Sequence, residues 1–213
     1  MQIRVVTETG EPVDEFLVRL GGWTEERYLR EAPEDRIWEF ADGEVVVHSP
    51  ASITHQRIVR FLTYLLTGYV EERSLGEVFN GPAALRLRPG LITEPDLFFV
   101  AAGRAAVGPL LVEGSADLVV EVASPATRTY DLQEKAAAYR EGGVGEYWVV
   151  DPGRKEVTVH RLERTSYRTE ALAAGRLVSS AVPGFWIEVA WLWQDPLPQA
   201  MACLREILSS GSG

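Results

Sequence analysis

Hydrophobic residues recur along this chain at two spacings, one typical of helices and the other of strands. The longest helical pattern follows Ser52, where apolar side chains repeat every three or four residues up to Arg73. Ser52 is a favourable N-cap, and Gly76 is placed to end the helix. Its apolar face consists of Ile58, Leu62, Leu65, Leu66 and Tyr69. The pattern therefore predicts a long helix that packs one face against a sheet.

Shorter runs that alternate or are continuously apolar predict strands. An Asp42-Gly43 pair between two such runs is a strong hairpin signal. The run at 146–150 is almost entirely apolar, as expected in the middle of a mixed sheet covered on both faces. The runs after Asp151 alternate and predict an antiparallel meander. All of these runs span residues 36–40, 44–48, 77–80, 83–88, 96–100, 117–122, 146–150, 157–162, 166–168 and 176–178.

Three further segments complete the predicted architecture. A second helix begins near Asp131 and ends at Gly142-Gly143, and Asp131 is better explained as its N-cap than as a metal ligand. Residues 101–115 are rich in Ala and Gly and are expected to form a loop with one helical turn. We predict an α/β fold with a central mixed sheet, the long helix on one face, the second helix on the other and an antiparallel β extension.

Composition limits the protein's class. The 213 residues contain 46% hydrophobic residues and 24% charged residues, which is ordinary for a globular protein. No apolar run is long enough to span a membrane, no signal peptide is recognisable, and Cys203 is the single cysteine. We therefore expect a cytoplasmic protein. The net charge of −10 argues against nonspecific binding of nucleic acid, and weak affinity for DNA, a local basic strip or a different phosphate-bearing substrate would each reconcile it with a nuclease.

Two acidic residues lie at the ends of strand-like runs. Asp96 opens one run and Glu121 lies near the end of another, so the two carboxylates converge if the strands are neighbours. Adjacent carboxylates repel each other unless a cation lies between them, and Mg²⁺ prefers such oxygen ligands. Lys135 on the following helix would point back towards the strand end and could order a water or offset phosphate charge. This is the outline of a metal-dependent phosphodiesterase site.

Four other side chains each have one interpretation as part of this site and another outside it. Glu39 is either a supporting acid or a solvent-facing charge on the hairpin. His55 lies in the first turn of the long helix, where the helix dipole lowers a histidine pKa; it either contacts a phosphate or metal-bound water, or only touches the hairpin. Arg86 and Arg88 either line a phosphate-binding face or keep a sheet edge soluble.

Several motifs carry a family resemblance. The order Pro95-Asp96, Glu121-Val122-Ala123 and Lys135 resembles the PD-(D/E)XK nuclease superfamily and, within it, the bacterial family labelled "putative restriction endonuclease", a domain of unknown function. The likeness runs from about Thr24 to Leu162. It implies a restriction-endonuclease-like core, a Mg²⁺ or Mn²⁺ cofactor, a DNA substrate and a possible homodimer. The family's further motifs match 38–44, 52–56 and 147–152.

The resemblance also implies roles for individual residues. Asp96 and Glu121 would bind the metal together with the carbonyl of Val122. Lys135 would assist the attacking water or the scissile phosphate, and His55 and Glu39 would be additional catalytic residues. Ala123 stands where the superfamily usually has its lysine, which Lys135 would replace from the next helix. Residues 1–22 would form an N-terminal extension, 23–208 a single endonuclease-like domain and 209–213 a disordered tail. Two alternatives stay open: a weak or inactive binding protein with the nuclease fold, and a hydrolase of another phosphate ester.

Overall fold

The computed structural model describes residues 15–33, 37–104 and 106–210. The first 14 residues of the predicted N-terminal extension lie outside this part of the chain, as do the last three of the predicted disordered tail. Within the described ranges, no helix has the length and apolar character needed to cross a membrane.

A six-stranded mixed sheet forms the centre of the fold, with the order β13-β12-β11-β10-β7-β4. β10 and β11 are parallel, and the other neighbours are antiparallel. The apolar run predicted to be central is β11, and the predicted meander supplies β12 and β13. The bounds are β4 Gly76–Asn80, β7 Leu97–Ala101, β10 Leu118–Val122, β11 Glu146–Asp151, β12 Glu156–Glu163 and β13 Ser166–Leu172.

The remaining N-terminal strands form a second, seven-stranded sheet with the order β1-β3-β2-β6-β5-β9-β8. The predicted hairpin is confirmed as β2 and β3, joined by Asp42 and Gly43 with φ values of 44° and 95°. Residues 101–115, expected to be a loop with a helical turn, instead contain β8 and β9. The bounds are β1 Leu17–Gly21, β2 Trp38–Ala41, β3 Glu44–His48, β5 Ala84–Arg88, β6 Leu91–Thr93, β8 Ala106–Val107 and β9 Leu111–Glu113.

Helix α2 (Ile53–Arg73) is the long helix predicted from the sequence. Ser52 caps it by accepting a hydrogen bond from the His55 backbone N–H, and every residue of the predicted apolar face is buried. The predicted end at Gly76 is wrong, because Ser74 takes the left-handed position with φ 52°. Gly76 instead begins β4 at φ 155°, where a Cβ would lie 2.1 Å from the Val100 carbonyl oxygen.

A second helix covers the opposite face of the six-stranded sheet. It consists of α3 (Arg128–Tyr130), a π-helical turn (Asp131–Lys135) and α4 (Ala136–Glu141), which follow one another directly and are called the Lys135 helix below. The interpretation of Asp131 as its N-cap is wrong, since the helix starts one turn earlier and Asp131 is buried inside it. The mixed α/β fold with helices on both faces of the sheet is confirmed.

The C-terminal segment packs on the α2 side. Strands β14 (Arg176–Val178) and β15 (Trp186–Glu188) form a two-stranded antiparallel sheet, and a 3-10 helix follows at Val189–Trp193. Helix α5 (Ala200–Ser210) lies against α2, so Ser209 and Ser210 of the predicted disordered tail are helical. A short helix α1 (Glu25–Glu31), capped by Thr24, covers the second sheet with Tyr28.

Candidate active site

Asp96 and Glu121 lie next to each other at one end of the six-stranded sheet. β7 and β10 are antiparallel neighbours with Leu97 opposite Val120, so Asp96 immediately precedes the paired region beside Glu121. The Asp96 backbone N–H lies 3.4 Å from Glu121 Oε2, and the Val122 N–H donates to Asp96 Oδ2 at 2.8 Å. Both acids are more than nine-tenths buried. The predicted convergence of the two carboxylates is therefore present.

Lys135 reaches this pair from the Lys135 helix. Its Nζ lies 2.7 Å from Glu121 Oε1 and 3.1 Å from Glu39 Oε1, with Asp131 Oδ1 at 3.9 Å. The side chain is only 3% exposed, which excludes a lysine on a solvated helix face. Burial acts to lower the pKa of Lys135, but the carboxylates of Glu121 and Glu39 outweigh it and hold the pKa well above its ordinary value. The ammonium is therefore charged.

Glu39 is a buried member of the same cluster and not a solvent-facing hairpin charge. It lies on β2 of the second sheet, so the site is assembled where the two sheets meet. Its Oε2 is 2.8 Å from His48 Nε2, and its Oε1 accepts the Glu94 backbone N–H at 3.2 Å. Burial opposes ionisation, but the charges of Lys135 and His48 lower the pKa of Glu39 to about 2. Glu39 thus holds the lysine together with Glu121.

His55 contacts the catalytic candidates directly. Its Nε2 is 3.0 Å from Asp96 Oδ2, while the buried Nδ1 has no hydrogen-bond partner in the described part of the chain. The expectation that the helix N-terminus lowers its pKa is wrong. Burial does lower it, but the hydrogen bond and charge of Asp96 prevail and raise the pKa. His55 therefore holds Asp96 in place.

The sequence alone did not identify five of the residues that form this site. Glu94 and Asp131 had detectable signals, since Glu94 alternates with Asp96 and Asp131 is one helical turn before Lys135. The other three depend on contacts between distant elements. His48 binds Glu39, the Tyr130 hydroxyl lies 3.3 Å from Glu39 Oε2, and the Tyr139 hydroxyl donates to Glu121 Oε1 at 2.7 Å.

Negative charge exceeds positive charge in this cluster. Lys135 is the one lysine among its buried carboxyl groups, which belong to Glu39, Glu94, Asp96, Glu121 and Asp131. Burial raises the pKa of Glu94 to about 8. Burial also raises the pKa of Glu121 to about 8, since Lys135 only partly offsets it and the neighbouring carboxylates add repulsion. The site therefore retains protons that an additional cation would displace.

The donor set fits one divalent cation. Among the described residues no three His, Cys, Asp or Glu side chains are arranged as a metal cage, but Mg²⁺ commonly binds one or two carboxylates and keeps several waters. Asp96 Oδ1 accepts no hydrogen bond within the described ranges, and Glu121 Oε2 has only the 3.4 Å contact. The cavity beside them is about 50 Å³, enough for an ion with little else. These two oxygens are the ones left to a metal.

Arg86 and Arg88 do not present a free phosphate-binding face. Arg86 pairs with Glu25 and with Glu113 at 3.1 Å, and Arg88 pairs with Asp42 at 2.6 Å. The guanidinium groups are thus neutralised by acids on helix α1, on β9 and in the hairpin turn. Of the two interpretations, a charged sheet edge describes them better.

Comparison with known proteins places this chain in a family. No curated protein matches the chain. Among solved structures, a crystal structure of a "putative nuclease belonging to DUF820" from Anabaena variabilis matches with a TM-score of 0.69 and 16% identity, covering 80% of this chain and 97% of that one. This likeness shows a shared fold. The family model Uma2, described as "Putative restriction endonuclease", matches residues 25–190, well over half of the 213 residues. The chain therefore belongs to the Uma2 family of restriction-endonuclease-like proteins.

Proposed function

We propose that this protein is a metal-dependent endonuclease that hydrolyses phosphodiester bonds in DNA, with Mg²⁺ or Mn²⁺ as its cofactor. The observation that carries the proposal is the adjacency of Asp96 and Glu121 with the Lys135 ammonium 2.7 Å from Glu121. Two hard oxygen ligands beside a fixed positive charge suit a phosphate ester in its transition state. Membership of the family supports the same reaction class.

Each residue has a distinct role in this proposal. Asp96 and Glu121 hold the metal, with the Val122 carbonyl as an additional ligand, and the bound ion supplies Lewis-acid activation of phosphate or water. Lys135 offsets negative charge on the phosphate or orients the attacking water. Glu39 positions Lys135 through the 3.1 Å contact, and His55 positions Asp96 through the 3.0 Å contact.

A protein that binds without turnover is the second candidate. It is favoured by the pairing of Lys135 with two carboxylates, which leaves its ammonium only 3% exposed. Hydrolysis then requires that substrate or metal draws Lys135 away from Glu121. A hydrolase of another phosphate ester would use the same groups on a smaller substrate.

Cleavage of supercoiled plasmid and of linear DNA tests the proposal. The native protein is compared in Mg²⁺, Mn²⁺ and EDTA with Asp96→Asn and Glu121→Gln, which keep side-chain size. We expect each substitution to reduce metal-dependent cleavage at least about a hundredfold, since metal activation contributes several kcal/mol to the transition state. Glu77→Gln on β4, exposed and outside the cluster, is the control. Unchanged cleavage by Asp96→Asn would refute the site.

A substrate panel distinguishes the alternatives. Turnover of nucleotides or simple phosphate esters, without cleavage of DNA, would indicate the smaller-substrate hydrolase. DNA binding without any metal-dependent product would indicate the binding protein. Both assays use the full chain and the same Asp96→Asn variant as the negative control.

A further inference from the structure

A large cavity of the described chain lies outside the acidic site. It has a volume of about 650 Å³, within the range of about 300–1,000 Å³ typical of ligand pockets. One wall is the outer face of α2, and the other is the segment between the 3-10 helix and α5. We call it the basic groove and define it by Arg57, Arg60, Tyr64, Lys155, Trp193 and Leu197.

The basic groove is locally positive on an acidic chain. Arg57, Arg60 and Lys155 line it, whereas Asp195 is its one acidic lining residue. Arg57 lies 3.9 Å from Asp195, and both side chains are largely exposed, so this pair holds the arginine weakly. Neither Arg60 nor Lys155 has an ion-pair partner within 15–33, 37–104 and 106–210. With a net charge of −10 on the whole chain, this concentration of cations is complementary to an anionic ligand.

Aromatic side chains line the same groove as these cations. Tyr64 is 40% exposed, and Trp193 is partly exposed with its indole N–H held 3.3 Å from the Ala173 carbonyl. Apolar side chains such as Ile58 and Leu192 form the floor. A groove that holds both cations and accessible aromatic rings suits unpaired nucleobases, because every base has a face that can stack and every linkage carries a phosphate.

The groove and the acidic site share the first turns of α2. Thr54 lines the groove while His55 contacts Asp96, and Arg57 follows His55 by two residues. Helix geometry places the Cα atoms of His55 and Arg57 within about 6 Å of each other, but their side chains leave the helix about 200° apart, so a strand that reaches both sites passes around the first turn of α2. The acidic cavity, at about 50 Å³, is too small for a nucleotide, and its carboxylates repel phosphates. A strand whose phosphate reaches Asp96 therefore needs an anchor nearby, and the groove supplies one.

We propose that the basic groove binds a segment of single-stranded nucleic acid adjoining the phosphate that enters the acidic site. Arg57, Arg60 and Lys155 contact the strand's phosphates, and Tyr64 and Trp193 stack with its bases. The inference rests on the proposed nuclease function, which sets how the bound strand lies relative to the acidic site. It narrows the substrate to strands with unpaired bases. A duplex hides its base faces and would lose the stacking contribution.

Fluorescence anisotropy with labelled 12-nucleotide oligo(dT) and oligo(U) tests the inference, in EDTA to prevent turnover. Three phosphate contacts predict a slope of about −2 for log affinity against log salt. Arg60→Gln/Lys155→Gln should weaken binding about tenfold or more at low salt and reduce the slope to about −0.7. Tyr64→Leu should weaken it about fivefold or more through lost stacking. DNA and RNA arms identify the preferred sugar.

Arg164→Gln is the matched control. Arg164 is an exposed arginine in the turn after β12, and Lys155 lies at the other end of that strand, about 30 Å away. This variant should bind as the native protein does. The inference is overturned if the native chain does not bind the oligonucleotides, if the double variant keeps the native affinity and slope, or if a duplex of equal length binds as tightly.

Asp96→Asn separates this inference from the proposed function. It should lose cleavage and keep binding of the oligonucleotide. If it loses cleavage while the groove variants bind as tightly as the native protein, the proposed role of the groove is refuted and the assignment of the nuclease site is retained. If the groove variants lose binding while the native protein cleaves no substrate in any metal, the groove stands and the nuclease function fails.

Discussion

Lys135 and Glu121 form a buried ion pair across the boundary between a helix and the central sheet, with Nζ and Oε1 2.7 Å apart. The same ammonium lies 3.1 Å from Glu39 on the second sheet. One lysine thus links three elements that are distant in the chain, and its charge offsets carboxylates that are almost completely removed from water. The stability of the fold and the proposed chemistry therefore depend on the same side chain.

Lys135→Met should destabilise the fold strongly. Removing one partner of a buried ion pair leaves uncompensated charge and typically costs about 3–5 kcal/mol. Urea denaturation at pH 7.5 measures the free energy of unfolding. Lys155→Met is the control, because it removes the chain's other lysine from an exposed position and should change the free energy by less than about 0.5 kcal/mol. A Lys135→Met variant as stable as the control would show that the pair contributes nothing.

Glu94→Gln should stabilise the protein at alkaline pH. The Tyr28 hydroxyl has one hydrogen and two acceptors within reach, the Trp38 carbonyl at 2.6 Å and Glu94 Oε1 at 3.0 Å, so one of the two contacts lacks a hydrogen while Glu94 is ionised. This agrees with burial raising the pKa of Glu94 to about 8. The glutamine amide can donate to Tyr28 in the same place and accept the Trp38 N–H.

The sign of this effect follows from proton binding. Between the unfolded pKa, about 4.3, and the folded value, the native state binds more protons than the unfolded state. Native stability should therefore decline as pH rises from about 5 to 8, and the Gln variant should lack this part of the decline. We expect a difference of roughly 4 kcal/mol at pH 8 and less than about 1 kcal/mol at pH 4.5. Parallel curves for the two proteins across this pH range would contradict the prediction.

Divalent metal should raise the melting temperature of the native protein, because a ligand that binds only the folded state stabilises it. Metal and protons compete for Glu121, whose pKa burial raises to about 8, so the increase should be larger at pH 8 than at pH 6. Thermal unfolding with Mg²⁺ or Mn²⁺ against EDTA measures it. Asp96→Asn should abolish the increase, and Glu77→Gln should retain it. An equal increase in the Asp96→Asn variant would place the metal elsewhere.

Tyr139→Phe should reduce stability by about 1–3 kcal/mol, because it leaves a buried acceptor of Glu121 without its donor. The Tyr139 hydroxyl donates to Glu121 Oε1 at 2.7 Å, and the ring, packed against Tyr147, stays in place after the substitution. Tyr64→Phe removes an exposed hydroxyl whose partner is the Met201 sulfur, so denaturant unfolding should show little change for it. Equal losses of stability in the two variants would show that the hydrogen bond to Glu121 contributes no more than the contact with Met201.

Local features of the fold could be predicted because the information for them lies within a few residues. The α2 cap at Ser52, its apolar face and the Asp42-Gly43 hairpin depend on backbone hydrogen bonding and on spacing along one helix or hairpin. Asp96 and Glu121 were also recognisable, since acids at the ends of apolar strands are conspicuous. Lys135 followed from its position after the second strand, as helical side chains lean towards the N-terminus.

The division into two sheets could not be predicted, because strand pairing joins segments that are far apart in sequence. By their sequence β2 and β5 look like strands of the central sheet. Both instead belong to the seven-stranded sheet, which contributes Glu39 to the site. Glu146 shows the same limit. In the sequence it is the first residue of an apolar strand, whereas the structure buries it completely beneath hydrogen bonds from Ser179, Ser180 and Ala181.

By itself, the sequence determined the element types, the long amphipathic helix and the identity of the acid pair, since these depend on local spacing and side-chain chemistry. Only the tertiary structure decided which charges share one buried space. It brought Glu39 to Lys135, moved Asp131 from a cap into the cluster and set the basic groove beside α2, because burial and distance between remote segments fix those interactions.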